Sequence, residues 1–424
     1  MPLFSGISMV ARTIAGMTCF LVGAVSTRLF QAIAWIALSG HPSWYYAAIE
    51  VLKNHFLTLI TLLTAIVSPC QMVITFRKRD VPETTNFRVD ASGNLISSLS
   101  PKAVYLSNHQ IYVDWLFFWF LSYTANLSHG VYVVVKEQLS RAPLVGQGML
   151  NFRFLFLLRR WEDDKVRMTN QLLEIDAEAR GYGPALAVRV AASAYARSPD
   201  IRVWPHGESD DPRRKHPYQL IIFPEGTVMS PHTRERSEKY LNSFGCPPLS
   251  HVLLPRIRGA FLALRLLRKS AEVVYDVTFG YHGLTAADYG EQIFTLKAMF
   301  LMGRGPKKVH LHIRSFAIAD IPLGDDDDCV DVDQLDPILM KNFEEWLFGI
   351  WYEKDQLMAQ FFETGSFVDP DDATAQSLTA DFKARSTSEY AVPFMTLGAI
   401  LLALYWVAKS VVVLFAKYFW LLCR

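Results

Sequence analysis

The sequence predicts an α/β domain, a mixed sheet flanked by helices, held at a membrane by N- and C-terminal transmembrane helices. Two patterns carry this. Between residues 81 and 390 short apolar runs alternate with amphipathic helical segments, the signature of strands and helices packed in layers. Outside that region the chain is apolar over lengths that suit a bilayer. The charge divides the same way. Residues 1–80 carry six Lys/Arg against two acids, and residues 391–424 carry Lys409, Lys417 and Arg424 with no acid, so of the overall +1 the middle holds −6. Apolar residues make up 51% and mean hydropathy is +0.16, too hydrophobic for a disordered chain. A near-neutral balance gives no basic footprint for nucleic acid. Five scattered cysteines, without a C-x-x-C pair, argue against a disulfide framework or a structural zinc site.

In chain order, residues 1–80 read as an N-terminal membrane region. Phe56–Phe76 is a run of 21 residues without a charge, enough for a crossing. Arg77-Lys78-Arg79 follow at once, which favours the cytosolic side for what comes next. Met9–Leu38 is also apolar but interrupted by Arg12 and Arg28; it reads as a second span or an interfacial helix. A cleaved signal peptide fits less well, since the apolar stretch runs on too far. Residues 391–424 form the C-terminal membrane region, with Ala391–Ala408 as a span and a basic amphipathic helix after it.

The middle, 81–390, yields strands at 103–106, 131–135, 154–158, 220–223, 252–254, 273–279 and 309–313. Helices are expected at 112–125, 163–180, 234–243, 259–267 and 335–360. Residues 181–218 concentrate Gly, Pro and charged residues and read as a surface insertion loop. The acidic run 325–328 lacks the spaced ligands of a calcium loop and reads as a solvated turn. His310 and His312 share a strand face without an acidic or thiol partner, so no metal site is expected. No Gly-x-Ser-x-Gly elbow is present.

Two constellations carry chemistry. Asn108-His109-Gln110-Ile111-Tyr112-Val113-Asp114 follows a strand. On one continuous helix His109 and Asp114 would stand about 140° apart, so they meet only if the chain turns from strand to helix between them. An Asp on one ring nitrogen fixes the tautomer and leaves the other as a general base. Alone, this spacing fits equally a loop histidine beside a capping Asp. The second is Phe223-Pro224-Glu225-Gly226-Thr227, where Pro224 ends a strand and Gly226 permits a tight turn. By itself it fits an ordinary strand-to-loop turn.

Together, in this order and about a hundred residues apart, the two resemble the glycerophospholipid acyltransferase family, which contains the lysophosphatidate acyltransferases. Further blocks match across residues 80–320: Phe156-Leu157-Leu158-Arg159, Val252-Leu253-Leu254-Pro255, and Lys136-Glu137-Gln138-Leu139. The resemblance implies the glycerolipid acyltransferase fold at the endoplasmic reticulum membrane, with the catalytic domain cytosolic. It implies transfer of a fatty acyl chain from acyl-CoA to a free glycerol hydroxyl of a lysophospholipid. His109 would be the base and Asp114 its orienting partner. Arg159 and Lys136 would hold the lipid phosphate, Glu225, Gly226 and Thr227 would shape the glycerol site, and Pro255 would line the acyl pocket. No cofactor or metal is implied, acyl-CoA being a co-substrate.

Three departures from the pattern stand out. Residue 153 is Arg where the second block usually has Gly. The fourth block lacks its first Pro. Val228 replaces the Arg that usually follows Glu-Gly-Thr. The last departure, with Leu254-Pro255-Arg256-Ile257-Arg258-Gly259, resembles the lysocardiolipin/lysophosphatidylinositol acyltransferase branch. A phosphodiester needs fewer cations than a monoester, so a lysophosphatidylinositol-type acceptor is favoured over lysophosphatidate. On that reading Val228→Arg would restore preference for lysophosphatidate, unless Arg236 in the next helix already supplies the charge. A CoA-independent transacylase and an inactive membrane scaffold are the other readings.

Overall fold

The computed structural model describes residues 8–158, 160–183, 201–202, 204–243, 245–324, 332–369 and 371–422. Two long helices, α1 (Met9–Leu38) and α2 (Pro42–Val67), lead into strand β1 (Gln71–Arg77). A small hairpin follows, β2 (Asn86–Val89) with β3 (Leu95–Ser98), then β4 (Lys102–Ser107), α3 (Asp114–Thr124), β5 (Val131–Lys136), α4 (Val145–Asn151) and β6 (Leu155–Leu157). Next come α5 (Trp161–Ala179), β7 (Tyr218–Ile222), α6 (Pro231–Ser243), α7 (Ile257–Leu267) and β8 (Val273–Tyr281). The chain ends with short helices α8 (Gly290–Ile293) and α9 (Leu296–Leu301), then β9 (Lys308–Ala317), α10 (Pro337–Thr364), β10 (Ala375–Asp381) and α11 (Met395–Leu422).

One sheet joins eight of these strands in the order β10-β1-β9-β8-β4-β7-β5-β6. From β8 to β6 all neighbours are parallel, whereas β9 runs antiparallel to β8, and β10 antiparallel to β1. The sheet is therefore mixed. Side chains alternate across it as strand geometry requires. On β4, Ala103 and Tyr105 enter a core shared with Phe56 of α2 and Phe118 and Trp119 of α3. Val104 and Leu106 enter the opposite core, with Leu172 of α5, Phe261 of α7 and Trp351 of α10. Helices cover both faces, so the parallel strands are near-continuous hydrophobic runs.

The apolar run from Phe56 to Phe76 is not one segment. Helix α2 stops at Val67, because Pro69 disfavours helical backbone at Ser68 and carries no amide hydrogen. The β-branched residues beyond it form β1, which pairs on both sides inside the sheet. Arg77 thus closes a strand and pairs with Asp372 at 2.7 Å, so the basic cluster follows β1 and not a helix directly. Residues 252–254 are not a strand either. Flanked by prolines, they send their N–H groups to side-chain acceptors, Val252 to Asp355 and Leu254 to the Ser237 hydroxyl. Strands β1, β2, β3 and β10 were not read from the sequence. Of the insertion at 181–218, residues 184–200 and 203 lie outside the described residues, as does the acidic run 325–328.

Among the described residues three helices are long and apolar enough to cross a membrane: Met9–Leu38, Pro42–Val67 and Thr387–Ala416. The first is unbroken despite its arginines. Arg12 Nε donates to the Ile66 carbonyl at 2.7 Å, and Arg28 donates to Gln31. Helices α1 and α2 pack closely where α1 has glycine: a Cβ at Gly16 would lie 2.7 Å from Val67, and one at Gly23 would lie 2.5 Å from Leu59. Small residues at such contacts are how helices approach in lipid. The third begins as a 3-10 helix at Thr387–Phe394 and continues as α11 with no separate amphipathic helix after it, and none of its apolar stretch is buried against protein.

Candidate active site

Parallel pairing brings the carboxyl ends of β4, β7, β5 and β6 to one edge, with Leu106 opposite Ile222 and Lys136 opposite Leu157. Loops leaving that edge carry the motif residues. After β4 the chain turns before α3, and His109 Nδ1 meets Asp114 Oδ2 at 2.9 Å. The Asp114 side chain is wholly buried, while the His109 side chain is 16% exposed. Asp114 Oδ2 also accepts from the backbone N–H of Gln110 at 2.7 Å and Ile111 at 3.1 Å. Its Oδ1 accepts from the Tyr281 hydroxyl at the end of β8. With Nδ1 donating to the carboxylate, Nε2 keeps its lone pair, and it has no hydrogen-bond partner among the described residues.

Asn108 ties this loop to β8: its amide donates to the Phe279 carbonyl at 3.1 Å and accepts from the Phe279 N–H at 2.8 Å. On the other side the His109 ring stacks on Phe223 with centroids 4.2 Å apart, and the Met229 N–H donates to the His109 carbonyl at 3.2 Å. The two motifs are one unit.

In the Phe223–Thr227 turn, Gly226 has φ +70°, a left-handed conformation that favours glycine, and its N–H closes the turn on the Phe223 carbonyl at 2.9 Å. Thr227 is half-buried at the turn's end. Glu225 is 2% exposed, and no donor reaches either carboxylate oxygen with full hydrogen-bond geometry. Burial lifts its pKa well above the usual carboxylate range, against the pull of the His109 and Leu253 N–H groups, the Trp351 indole and the Lys354 charge. Burial therefore favours the neutral form of this carboxyl. Behind it lies a buried ion cluster. Lys354 Nζ donates to Asp276 at 2.6 Å, and Arg314 reaches the same carboxylate at 2.6 Å.

Lys136 ends β5 half-buried, its Nζ 5.9 Å from the centre of the Tyr112 ring. Arg159 lies outside the described residues. Pro255 is buried in the loop that follows residues 252–254, and the next residue, Arg256, donates its N–H to the Pro224 carbonyl at 2.8 Å. That loop hangs from α10, where the Asp355 carboxylate accepts the N–H groups of Ser250, His251 and Val252 at 2.6–3.1 Å. His310 and His312 pack against Phe361 and Phe367. No group of three or more His, Cys, Asp or Glu arranged to hold a metal occurs among the described residues.

The departures acquire physical reasons. Arg153 has φ +61°, a region costly for any residue with a Cβ, which accounts for a usual Gly. Here the strain is offset by ion pairs to Glu178 at 2.8 Å and Glu174 at 2.6 Å. Val228 is 3% exposed, so an arginine there would enter the core. Arg236 is exposed on α6. Tyr281, Trp351 and Asp355 carry no local signal, because their partners lie more than a hundred residues away along the chain.

A family model described as Acyltransferase matches residues 77–278. The 2-acyl-1-lysophosphatidylinositol acyltransferase of Saccharomyces cerevisiae is 40% identical over 338 residues, covering 78% of this chain and 79% of that one. The chain belongs to the acyltransferase family. Lysophosphatidylinositol acyltransferase 10 of Caenorhabditis elegans is 27% identical to this acyltransferase over 65% of the chain and 56% of its own length. Lysocardiolipin acyltransferase 1 of Danio rerio is 24% identical over 62% of the chain and 53% of its own length. This agrees with the branch that the missing Arg after Glu225-Gly226-Thr227 suggested. The protein is an O-acyltransferase whose mixed α/β sheet carries both motifs at one edge. Helix α10 lies beyond the family-matched segment, yet it holds the 250–256 loop and the floor beneath Glu225.

Proposed function

We propose that the protein transfers a fatty acyl chain from acyl-CoA to the free glycerol hydroxyl of a lysophospholipid, with lysophosphatidylinositol or a similar diester preferred over lysophosphatidate. The carrying observation is the His109 ring, partly exposed and held at Nδ1 by a fully buried Asp114, with no partner on Nε2 among the described residues. Nε2 takes the hydroxyl proton as that oxygen attacks the thioester carbonyl. The C–S bond then breaks, and the imidazolium returns the proton to the departing CoA thiolate. Asp114, restrained by Tyr281 and two N–H groups, stabilises the imidazolium in between. A thioester needs no metal or enzyme nucleophile to be activated. Glu225, Gly226 and Thr227 shape the glycerol site, Lys136 and Arg159 help hold the lipid phosphate, and Pro255 lines the acyl pocket. The diester preference is supported by the buried valine at 228 and by the name of the 40% identical yeast relative. The enzyme sits in the endoplasmic reticulum membrane with its catalytic domain in the cytosol, where acyl-CoA is made.

The test is an assay of purified protein with a panel of lysolipids, with and without acyl-CoA. Turnover should require acyl-CoA and be fastest by kcat/KM with lysophosphatidylinositol. His109→Ala should reduce it about 10²–10⁴-fold while the fold survives, and Asp114→Asn should reduce it less. A folded His109→Ala protein with near-normal turnover would falsify the mechanism, and a strong preference for lysophosphatidate would overturn the head-group assignment.

A further inference from the structure

We infer that the Arg256 guanidinium binds the phosphate of the lysolipid acceptor, supplying from the 250–256 loop the cation that the Glu-Gly-Thr turn lacks at Val228. The inference rests on the proposed transfer to a lysophospholipid and names the residue that reads its phosphate.

Four observations place the group. A Cβ on Gly226 would lie 3.0 Å from Arg256 Nε, 3.1 Å from Cδ and 3.3 Å from Cζ, so the guanidinium rests directly over that glycine. Its backbone is fixed there by the N–H of Arg256 to the Pro224 carbonyl at 2.8 Å. Arg256 is exposed, and its side chain makes no hydrogen bond or ion pair among the described residues, unlike Arg153, Arg314 and Arg180, whose carboxylate partners are within 3 Å. Its planar donors are therefore open to a ligand. Finally, the turn beneath it is the one on which His109 stacks through Phe223.

Strand order sharpens the choice of ligand. Gly226 follows β7, the immediate neighbour of β4 and hence of His109, whereas Lys136 follows the second strand away and β6 is the third. Neighbouring strands are about 5 Å apart. In a lysophospholipid the free hydroxyl and the phosphorus are separated by only a few bonds, so a hydroxyl at His109 Nε2 puts the phosphate beside Gly226. Guanidinium meets phosphate oxygens through two parallel N–H donors, and one such cation matches the single charge of a diester. Val228 cannot serve, being inside the core. CoA also carries phosphates, and this chemistry alone would suit them.

The experiment compares wild type, Arg256→Gln and Arg256→Lys in mixed micelles. KM is measured for lysophosphatidylinositol and for oleoyl-CoA, alongside equilibrium binding of lysophosphatidylinositol without acyl donor. Losing a charge-assisted pair should raise the lysolipid KM and weaken its binding by about 10- to 100-fold in Arg256→Gln, leave the oleoyl-CoA KM unchanged, and be partly rescued in Arg256→Lys. An unchanged lysolipid KM and affinity would overturn the assignment, as would a rise confined to the oleoyl-CoA KM, which would give Arg256 to the donor. If wild type acylates no lysolipid, the proposed function fails, and the binding arm still tests Arg256.

Discussion

Asp114 accepts four hydrogen bonds, from His109, Gln110, Ile111 and Tyr281, and this saturation lets a carboxylate be buried beside the base. Glu225 is buried with no donor at full hydrogen-bond geometry, only the weaker pull of the His109 and Leu253 N–H groups and the Trp351 indole. The two environments differ: Asp114 is held by four donors, whereas burial of Glu225 favours its neutral form. The folded state holds the Glu225 proton more tightly than the unfolded chain does. Stability must therefore fall as pH rises past the ordinary glutamate range, until the folded group itself ionises. Glu225→Gln removes that dependence. Thermal unfolding between about pH 4.5 and 8 should show the variant gaining on wild type with rising pH, by up to about 1.4 kcal/mol per pH unit. A difference that does not change with pH would mean that Glu225 ionises normally. Legibility at this scale was uneven. The His109–Asp114 spacing was readable because both residues lie within one short strand-to-helix turn. The burial of Val228, which sets an arginine there against the core, depends on packing that no local pattern encodes.

At the scale of elements, α10 is the clearest gain over the sequence. Its periodicity announced a helix, but not that Asp355 would gather three N–H groups of the 250–252 stretch while Trp351 and Lys354 lie under Glu225. An apolar run bounded by prolines reads as a strand until its hydrogen-bond acceptor is known. Asp355→Ala should leave those N–H groups without their acceptor and cost about 1–3 kcal/mol. Hydrogen exchange at residues 250–256 should accelerate more than in β4 or β8, and uniform acceleration would instead indicate global loosening. Strand β1 teaches the converse. Length and hydrophobicity suit both a membrane helix and a buried strand, and Pro69 was the local sign that separated them.

Over the whole molecule, apolar surface is distributed in two ways. Helix α2 buries Ile49, Leu52, Phe56 and Leu57 in the core of the catalytic domain, so the domain is seated on the helical hairpin and not tethered at a distance. Helix α11 departs from that body with Leu402, Val407 and Phe415 more than half exposed, a continuous apolar surface that lipid would cover. The side on which the domain lies follows from the proposed use of cytosolic acyl-CoA, because the basic cluster at 77–79 closes a strand. Trypsin added to sealed microsomes should cut at Arg213, whose side chain is 88% exposed. Protection there until detergent is added would place the domain in the lumen.

By itself the sequence determined the layered α/β class, the apolar ends and the two motifs, since each is a property of neighbours along the chain: periodicity, length, or a few residues in one loop. Tertiary structure alone decided that β1 belongs to the sheet, that Tyr281 completes the hold on Asp114, and that Arg256 overlies Gly226. Those contacts join residues distant in sequence, and only the order of strands in the sheet brings them within reach.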